Sequence, residues 1–214
     1  KKNNVEIVNF LLEQKGIEIN EKAFYLCEKI RELKLPSNLT TIKEDTFFCC
    51  SSLKKITLPI SLKSIDKNAF RLCSSIEQIN LPSTLNSIGE YAFKGCTKLK
   101  RVIFEDSNKC QSIGSHAFEE CSSLIEITLP SSLISIGDHC FDGCSSIEQI
   151  TIPSSIKSLG NASFAMCSSL KQIDILSSSL SSIRTGCFTC CKSLVDIKIP
   201  STITSIQDNA FFEC

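Results

Sequence analysis

The chain has 214 residues, 42% of them apolar, enough to build a packed core and too many for a disordered tail. Its 23 basic and 23 acidic residues cancel, so no long-range field draws it to nucleic acid or anionic lipid, and any partner is recognised by local surface. No apolar run approaches the ~20 residues that cross a bilayer, Lys1 to Glu6 are polar with no secretory signal peptide visible, and scarce glycine argues against Gly-rich phosphate loops.

Residues 1–21 stand apart from the rest. Val5, Val8, Leu11 and Leu12 fall on one face of a helix, Asn3 or Asn4 is placed to cap its start, and Gly16 is placed to end it. An amphipathic cap of this kind would shield the first coil of a repeat stack. The stretch V-E-I-V-N-F-L-L-E-Q-K-G-I-E-I-N also resembles the second helix and following loop of an ankyrin repeat. That resemblance implies a longer protein carrying two kinds of binding repeat.

From residue 22 onward the sequence repeats. Phe24, Phe47, Phe70, Phe93, Phe118, Phe141, Phe164, Phe188 and Phe211 mark the period, and six of the eight intervals are 23 residues. A cysteine lies three residues after each: Cys27, Cys50, Cys73, Cys96, Cys121, Cys144, Cys167, Cys191 and Cys214. One unit, Pro59 to Pro82, ends in I-E-Q-I-N-L, whose Ile79 and Leu81 alternate as in a half-buried strand that Pro82 then stops. A unit this short cannot enclose its own apolar face, and ordering it offsets most of what burial contributes. Stacking lays each Phe, Leu and Ile on its counterpart in the next coil. About nine stacked turns are expected.

The pattern L-P-x-x-L-x-x-I-x-x-x-A-F-x-x-C-x-x-L-x-x-I-x-L-P resembles the BspA-like (treponemal-type) leucine-rich-repeat family across residues 22–214. The expected fold is a right-handed leucine-rich-repeat solenoid. It would carry a parallel sheet on the concave face, one short strand per coil, and irregular or short helical turns on the convex side. The resemblance also implies surface or secreted proteins of bacteria and parasitic protists that adhere to host proteins and cells. A buried, reduced thiol ladder and an ankyrin neighbour would suit the cytoplasm instead. The pattern stops at Cys214 in mid-repeat, so the chain reads as a segment of something longer.

Two coils depart from the pattern. Glu105 replaces the proline and E-D-S-N-K-C adds two residues; near Ile175, L-S-S-S-L adds one. Both changes follow a strand, so each should bulge at one edge without breaking the stack, as loop drift or as a specificity element.

Twelve of the fourteen cysteines substitute for small hydrophobes: nine in the repeating slot, Cys140 and Cys187 in the slot held elsewhere by Ala69, and Cys110 where other coils place Leu or Ile. Cys187 and Cys190 form a C-x-x-C that elsewhere signals redox or zinc chemistry, but no second pair stands at zinc spacing. His116 and His139 share one slot in adjacent coils, where two imidazoles near Asp138 could hold a metal. The same slot holds Asn68, Tyr91 and Ala162, which favours a solvated convex surface. No catalytic grouping recurs, and no enzyme activity, cofactor or metal is expected.

Binding is expected on the concave face, where the strand residues between the apolar ones point outward. One column reads Glu32, Lys55, Gln78, Arg101, Glu126, Gln149, Gln172 and Asp196; its neighbour reads Lys34, Thr57, Asn80, Ile103, Thr128, Thr151, Asp174 and Lys198. With Lys54 and Lys100 the N-terminal half is mildly basic, and the middle is rich in amides and hydroxyls. This polar strip suits a protein partner, including a host or cell-surface protein. A spacer presenting other domains is the alternative.

Overall fold

The computed structural model describes residues 12, 16–177 and 179–214. The helix expected over residues 3–16 lies almost entirely outside them. Each repeat unit forms one turn of a parallel solenoid, and the nine phenylalanine landmarks bound eight turns instead of the nine expected. Each turn carries two short strands where one was expected. In chain order they are β1 (Glu32–Lys34), β2 (Thr41–Ile42), β3 (Lys55–Thr57), β4 (Ser64–Ile65), β5 (Gln78–Leu81), β6 (Ser87–Ile88), β7 (Arg101–Phe104) and β8 (Ser112–Ile113). There follow β9 (Glu126–Ile127), β10 (Ser135–Ile136), β11 (Gln149–Ile152), β12 (Ser158–Leu159), β13 (Gln172–Ile175), β14 (Ser182–Ile183), β15 (Asp196–Lys198) and β16 (Ser205–Ile206). The odd-numbered strands are the predicted I-x-L segments. The even-numbered ones come from the Ser-Ile pair that follows the proline turn, too short to show an alternation in sequence.

Pairing is parallel and one turn apart throughout: Glu32 faces Lys55, Gln78 faces Arg101, and Gln149 faces Gln172. The even strands β2 to β12 form one six-stranded ladder that resumes as β14–β16. The odd strands divide into β1–β3, β5–β7–β9 and β11–β13–β15. Both divisions precede a turn that reads S-S-I-E-Q-I. Ile76 and Ile147 occupy there the slot held by Leu53, Leu99, Leu124, Leu170 and Leu194 in every turn that does pair with the one before. Branching at Cβ thickens the side chain beside its own backbone, and pairing lapses at those two turns.

The third side is built around phenylalanine. Residues two before and two after each landmark have positive φ, as at Asn68 (55°) and Leu72 (61°), and none of them is β-branched. Left-handed residues four apart stop any helix, so this side carries the irregular turns that were expected, without the short helical turns expected beside them. Backbone bonds to the next coil stabilise this shape. Around Phe70, the N–H groups of Asn68, Phe70 and Leu72 donate to the carbonyls of Glu90, Ala92 and Lys94 at 2.9, 2.7 and 2.8 Å.

Inside, Phe47 to Phe188 are fully buried and successive rings stack from Phe24 to Phe211. Their centroids lie 5.1 Å apart at Phe47–Phe70 and at most 5.6 Å apart, at Phe164–Phe188. This matches the ~4.8 Å spacing of paired strands. Cysteine does more here than fill space. Cys73 Sγ donates to Phe47 O at 3.0 Å and Cys144 Sγ to Phe118 O at 3.2 Å, and the same bond to the preceding coil recurs from Cys50 to Cys214. An aliphatic side chain would leave that carbonyl with one partner fewer.

The two longer turns keep the phenylalanine stack, with Phe93–Phe118 at 5.2 Å. Each recruits a buried polar side chain in place of the missing proline. Asn108 donates to Pro82 O at 2.8 Å and accepts from Cys110 N at 2.9 Å. Ser177 donates to Ile156 O and accepts from Leu180 N. The second insertion does interrupt the even-strand ladder, between β12 and β14, so the expectation of an unbroken stack holds for the core and fails at that edge. Gly89, Gly114, Gly137 and Gly160 form a column where successive backbones nearly touch. A methyl on Gly114 would lie 2.7 Å from Glu90 N and Gly89 C.

Candidate binding surface

The odd strands hold their inward residues in the core, from Leu33 and Ile56 to Ile150 and Ile173, so the residues between them must face out. Both polar columns lie where the alternation places them. Glu32, Lys34, Lys55, Thr57, Gln78, Asn80, Arg101, Ile103, Glu126, Thr128, Gln149 and Thr151 are exposed, while Gln172 and Asp174 are half-buried. The basic character expected of the N-terminal half is smaller than the sequence suggests. Arg101 Nε is 2.9 Å from Glu126 Oε2 and Lys100 Nζ is 3.1 Å from Glu77 Oε2, which leaves Lys34, Lys54 and Lys55. The bond from Lys100 holds the Glu77 carboxyl below its usual range, and bonds from Lys198 and Gln172 do the same for Asp174.

Where β9 and β11 fail to pair, the face opens into a trough of about 480 Å³. Thr128, Gln149 and Thr151 line its floor with exposed polar groups, and Glu126 and Asp174 stand at either side. Its rim carries two apolar side chains that the sequence reading passed over, Ile125 and Leu176, 55% and 59% exposed. A second hollow of about 530 Å³ adjoins it and shares Ile125, Gln149 and Gln172. The signal for Ile125 was present, since its column otherwise holds Arg31, Lys54, Glu77, Lys100, Glu148, Lys171 and Val195, so Ile125 and Val195 are the two apolar residues in a charged column.

The buried thiols offer little reactivity, apart from Cys50, whose pKa a hydrogen bond with Cys73 lowers. Burial pushes Cys96, Cys110, Cys187 and Cys191 up to about 12. The two sulfurs of the C-x-x-C face different partners: Cys187 Sγ lies 3.2 Å from Ser163 Oγ in the core, and Cys190 Sγ lies 3.5 Å from Glu213 Oε2 outside it. On the turn face Tyr91, His116 and His139 stack at 4.6 and 4.9 Å. Asp138 is engaged elsewhere, its Oδ1 accepting Asn161 N–H at 2.7 Å. The imidazoles meet Glu119 and Asp142 instead.

A family model described as the BspA type leucine rich repeat region, in six copies, matches residues 2–110 and 107–214. The chain belongs to the BspA-type leucine-rich-repeat family. No curated protein matches this BspA-type chain. Among solved structures it is similar to a leucine-rich-repeat protein of T. pallidum, with 31% identity over 82% of this chain and 72% of that one, at a TM-score of 0.66. It is also similar to a leucine-rich cell surface protein of Faecalibacterium prausnitzii, with 28% identity, 89% and 53% coverage and a TM-score of 0.57. The pneumococcal vaccine antigen PcpA matches at 26% identity, with 81% and 52% coverage and a TM-score of 0.57. The BspA-type chain thus spans about half the length of the latter two proteins. Among the described residues, no helix is long and apolar enough to cross a membrane.

Proposed function

We propose that this BspA-type solenoid is a non-enzymatic protein-binding module of a surface-exposed or secreted protein, and that it engages its partner through the concave strand face. The observation that carries the reading is the trough at the β9–β11 division, where free hydroxyls and an amide lie between apolar shoulders. Such a mixture suits protein contacts, in which apolar anchors supply most of the energy and polar groups set register. Extended concave faces are the usual binding surface of solenoids. Placement at the cell surface rests on the F. prausnitzii protein, described as a cell surface protein, and is supported by PcpA, described as a vaccine antigen.

The test is adhesion of the purified chain to an immobilised panel of matrix and host-cell surface proteins. Gln149→Arg and Thr151→Arg, which fill the trough, should abolish retention of a panel protein. Lys67→Glu, on the turn face, should leave it unchanged. The reading is overturned if no panel protein is retained, or if retention survives the blocked trough.

A further inference from the structure

We propose that the partner segment held on the concave face is an extended acidic–aliphatic peptide, whose carboxylates meet the lysines of the first turns while its aliphatic side chains seat in the trough. The inference rests on the trough being the binding surface and adds the chemistry of what fills it. The outward positions of β1 and β3, with the residue just before each strand, carry Arg31, Lys34, Lys54 and Lys55 against one carboxylate, Glu32, and all five are exposed. Among the described residues none of these four cations forms an ion pair. The carboxylates farther along the face are already taken. Lys100 and Arg101 hold Glu77 and Glu126 at 3.1 and 2.9 Å, Lys171 holds Glu148 at 2.9 Å, and Lys198 holds Asp174 at 3.1 Å. A chain with no net charge therefore keeps an uncompensated basic patch at one end of this face. Such a patch selects a partner of opposite sign and speeds its approach.

The path from the patch to the trough is uncharged. Gln78 donates to Asn80 at 2.9 Å, and Ile103 beyond them is exposed. From β3 to β9, the near wall of the trough, is three turns, about 14 Å at ~4.8 Å per turn, which an extended chain crosses in about four residues at ~3.3 Å each. The trough then offers Ile125 and Leu176 as apolar shoulders. Its main chain is also open. The carbonyls of Lys100 and Glu148 each accept two N–H groups from the next turn, at 3.0 and 3.1 Å and at 2.7 and 3.3 Å. The Ile125 carbonyl, in the same slot, accepts neither the Glu148 nor the Gln149 N–H. An extended peptide brings the amide donors that such a carbonyl takes. A sulfated glycan would satisfy the lysines but has no aliphatic group for Ile125 and Leu176, so the arrangement favours a peptide.

The test selects peptides from a displayed random library on the full chain and measures the enriched ones by surface plasmon resonance. Enriched sequences are expected to place acidic residues about four positions from an aliphatic one. Lys54→Glu with Lys55→Glu slows their association about tenfold, and added salt slows association to the wild-type chain by screening the same charges. Ile125→Ser with Leu176→Ser instead speeds dissociation about tenfold. All four side chains are exposed, so both variants keep the wild-type circular dichroism. No enriched peptide, enrichment without acidic residues, or binding that the lysine reversal leaves intact overturns the proposal. So does a sulfated polysaccharide retained more tightly than the best peptide and unaffected by the serine variant. Gln149→Arg with Thr151→Arg separates this inference from the reading beneath it. A panel protein lost on blocking the trough but indifferent to the lysine reversal refutes the acidic partner and keeps the trough, whereas one that survives the block refutes both.

Discussion

Phe118→Ala tests whether the core behaves as a one-dimensional stack. The Phe118 ring is fully buried and lies between Phe93 and Phe141, with centroids at 5.2 and 5.4 Å. Removing a buried phenylalanine costs about 3–5 kcal/mol, and the loss of two stacked neighbours places Phe118 toward the top of that range. The expected loss is therefore about 4–5 kcal/mol, a large part of the net stability of a domain this size. Phe211 stacks on one side only and is half-buried, so Phe211→Ala should cost about 1–2 kcal/mol. Urea unfolding followed by far-ultraviolet circular dichroism measures both. In a solenoid the central variant should also lower the denaturant slope, because the coils on either side of the gap then unfold separately. Equal losses at Phe118 and Phe211 would refute the reasoning, as would a loss below about 2 kcal/mol at Phe118 with the slope unchanged.

The buried thiols set an alkaline limit. Apart from Cys50, which a hydrogen bond with Cys73 lowers, their folded pKa values lie above the usual 9.0, so their contribution to stability is complete below pH 9 and is lost as pH rises toward 12, where only the unfolded chain releases the protons. Nine thiols are raised in this way by burial, so the loss accumulates along the whole core as the pH climbs past 9. Unfolding in a pH titration should begin between about 9 and 10, and a chain still folded at pH 11 would contradict this. Gly114→Ala forces a methyl to within 2.7 Å of the preceding backbone and should cost about 1–3 kcal/mol by thermal unfolding. A stability change under about 0.5 kcal/mol would show that the glycine column is not needed for close approach. Ile147→Leu should let β11 pair with β9 and slow hydrogen exchange at the Gln149 and Thr151 amides by about tenfold. Unchanged exchange there would dismiss the Cβ-branching account of the divided sheet.

Most of the architecture was legible because stacking maps equivalent residues onto equivalent positions. The period of Phe and Cys identified the coil, and the alternation around Ile79 assigned each residue of Glu32 to Asp174 in the polar columns to the outer face. The second strand of each coil escaped notice, since a two-residue segment such as Ser64–Ile65 shows no alternation and exists only through its partners in other coils. The left-handed positions were recoverable. The slots two before and two after phenylalanine contain no Val, Ile or Thr, although the chain is otherwise rich in them. The thiol bond to the preceding coil could not be read, because sequence reports that cysteine is small and not where its sulfur points. The trough was invisible for a similar reason. It depends on a pairing that fails between turns, whereas periodicity reports only what recurs.

The most direct check on the stacked architecture is a nuclear Overhauser experiment on protein selectively labelled at phenylalanine. Ring protons should give a sequential chain of contacts, Phe24 to Phe47, Phe47 to Phe70 and onward to Phe211, as their centroid separations of 5.1–5.6 Å require. Contacts between rings two or more coils apart, or none between successive ones, would contradict it.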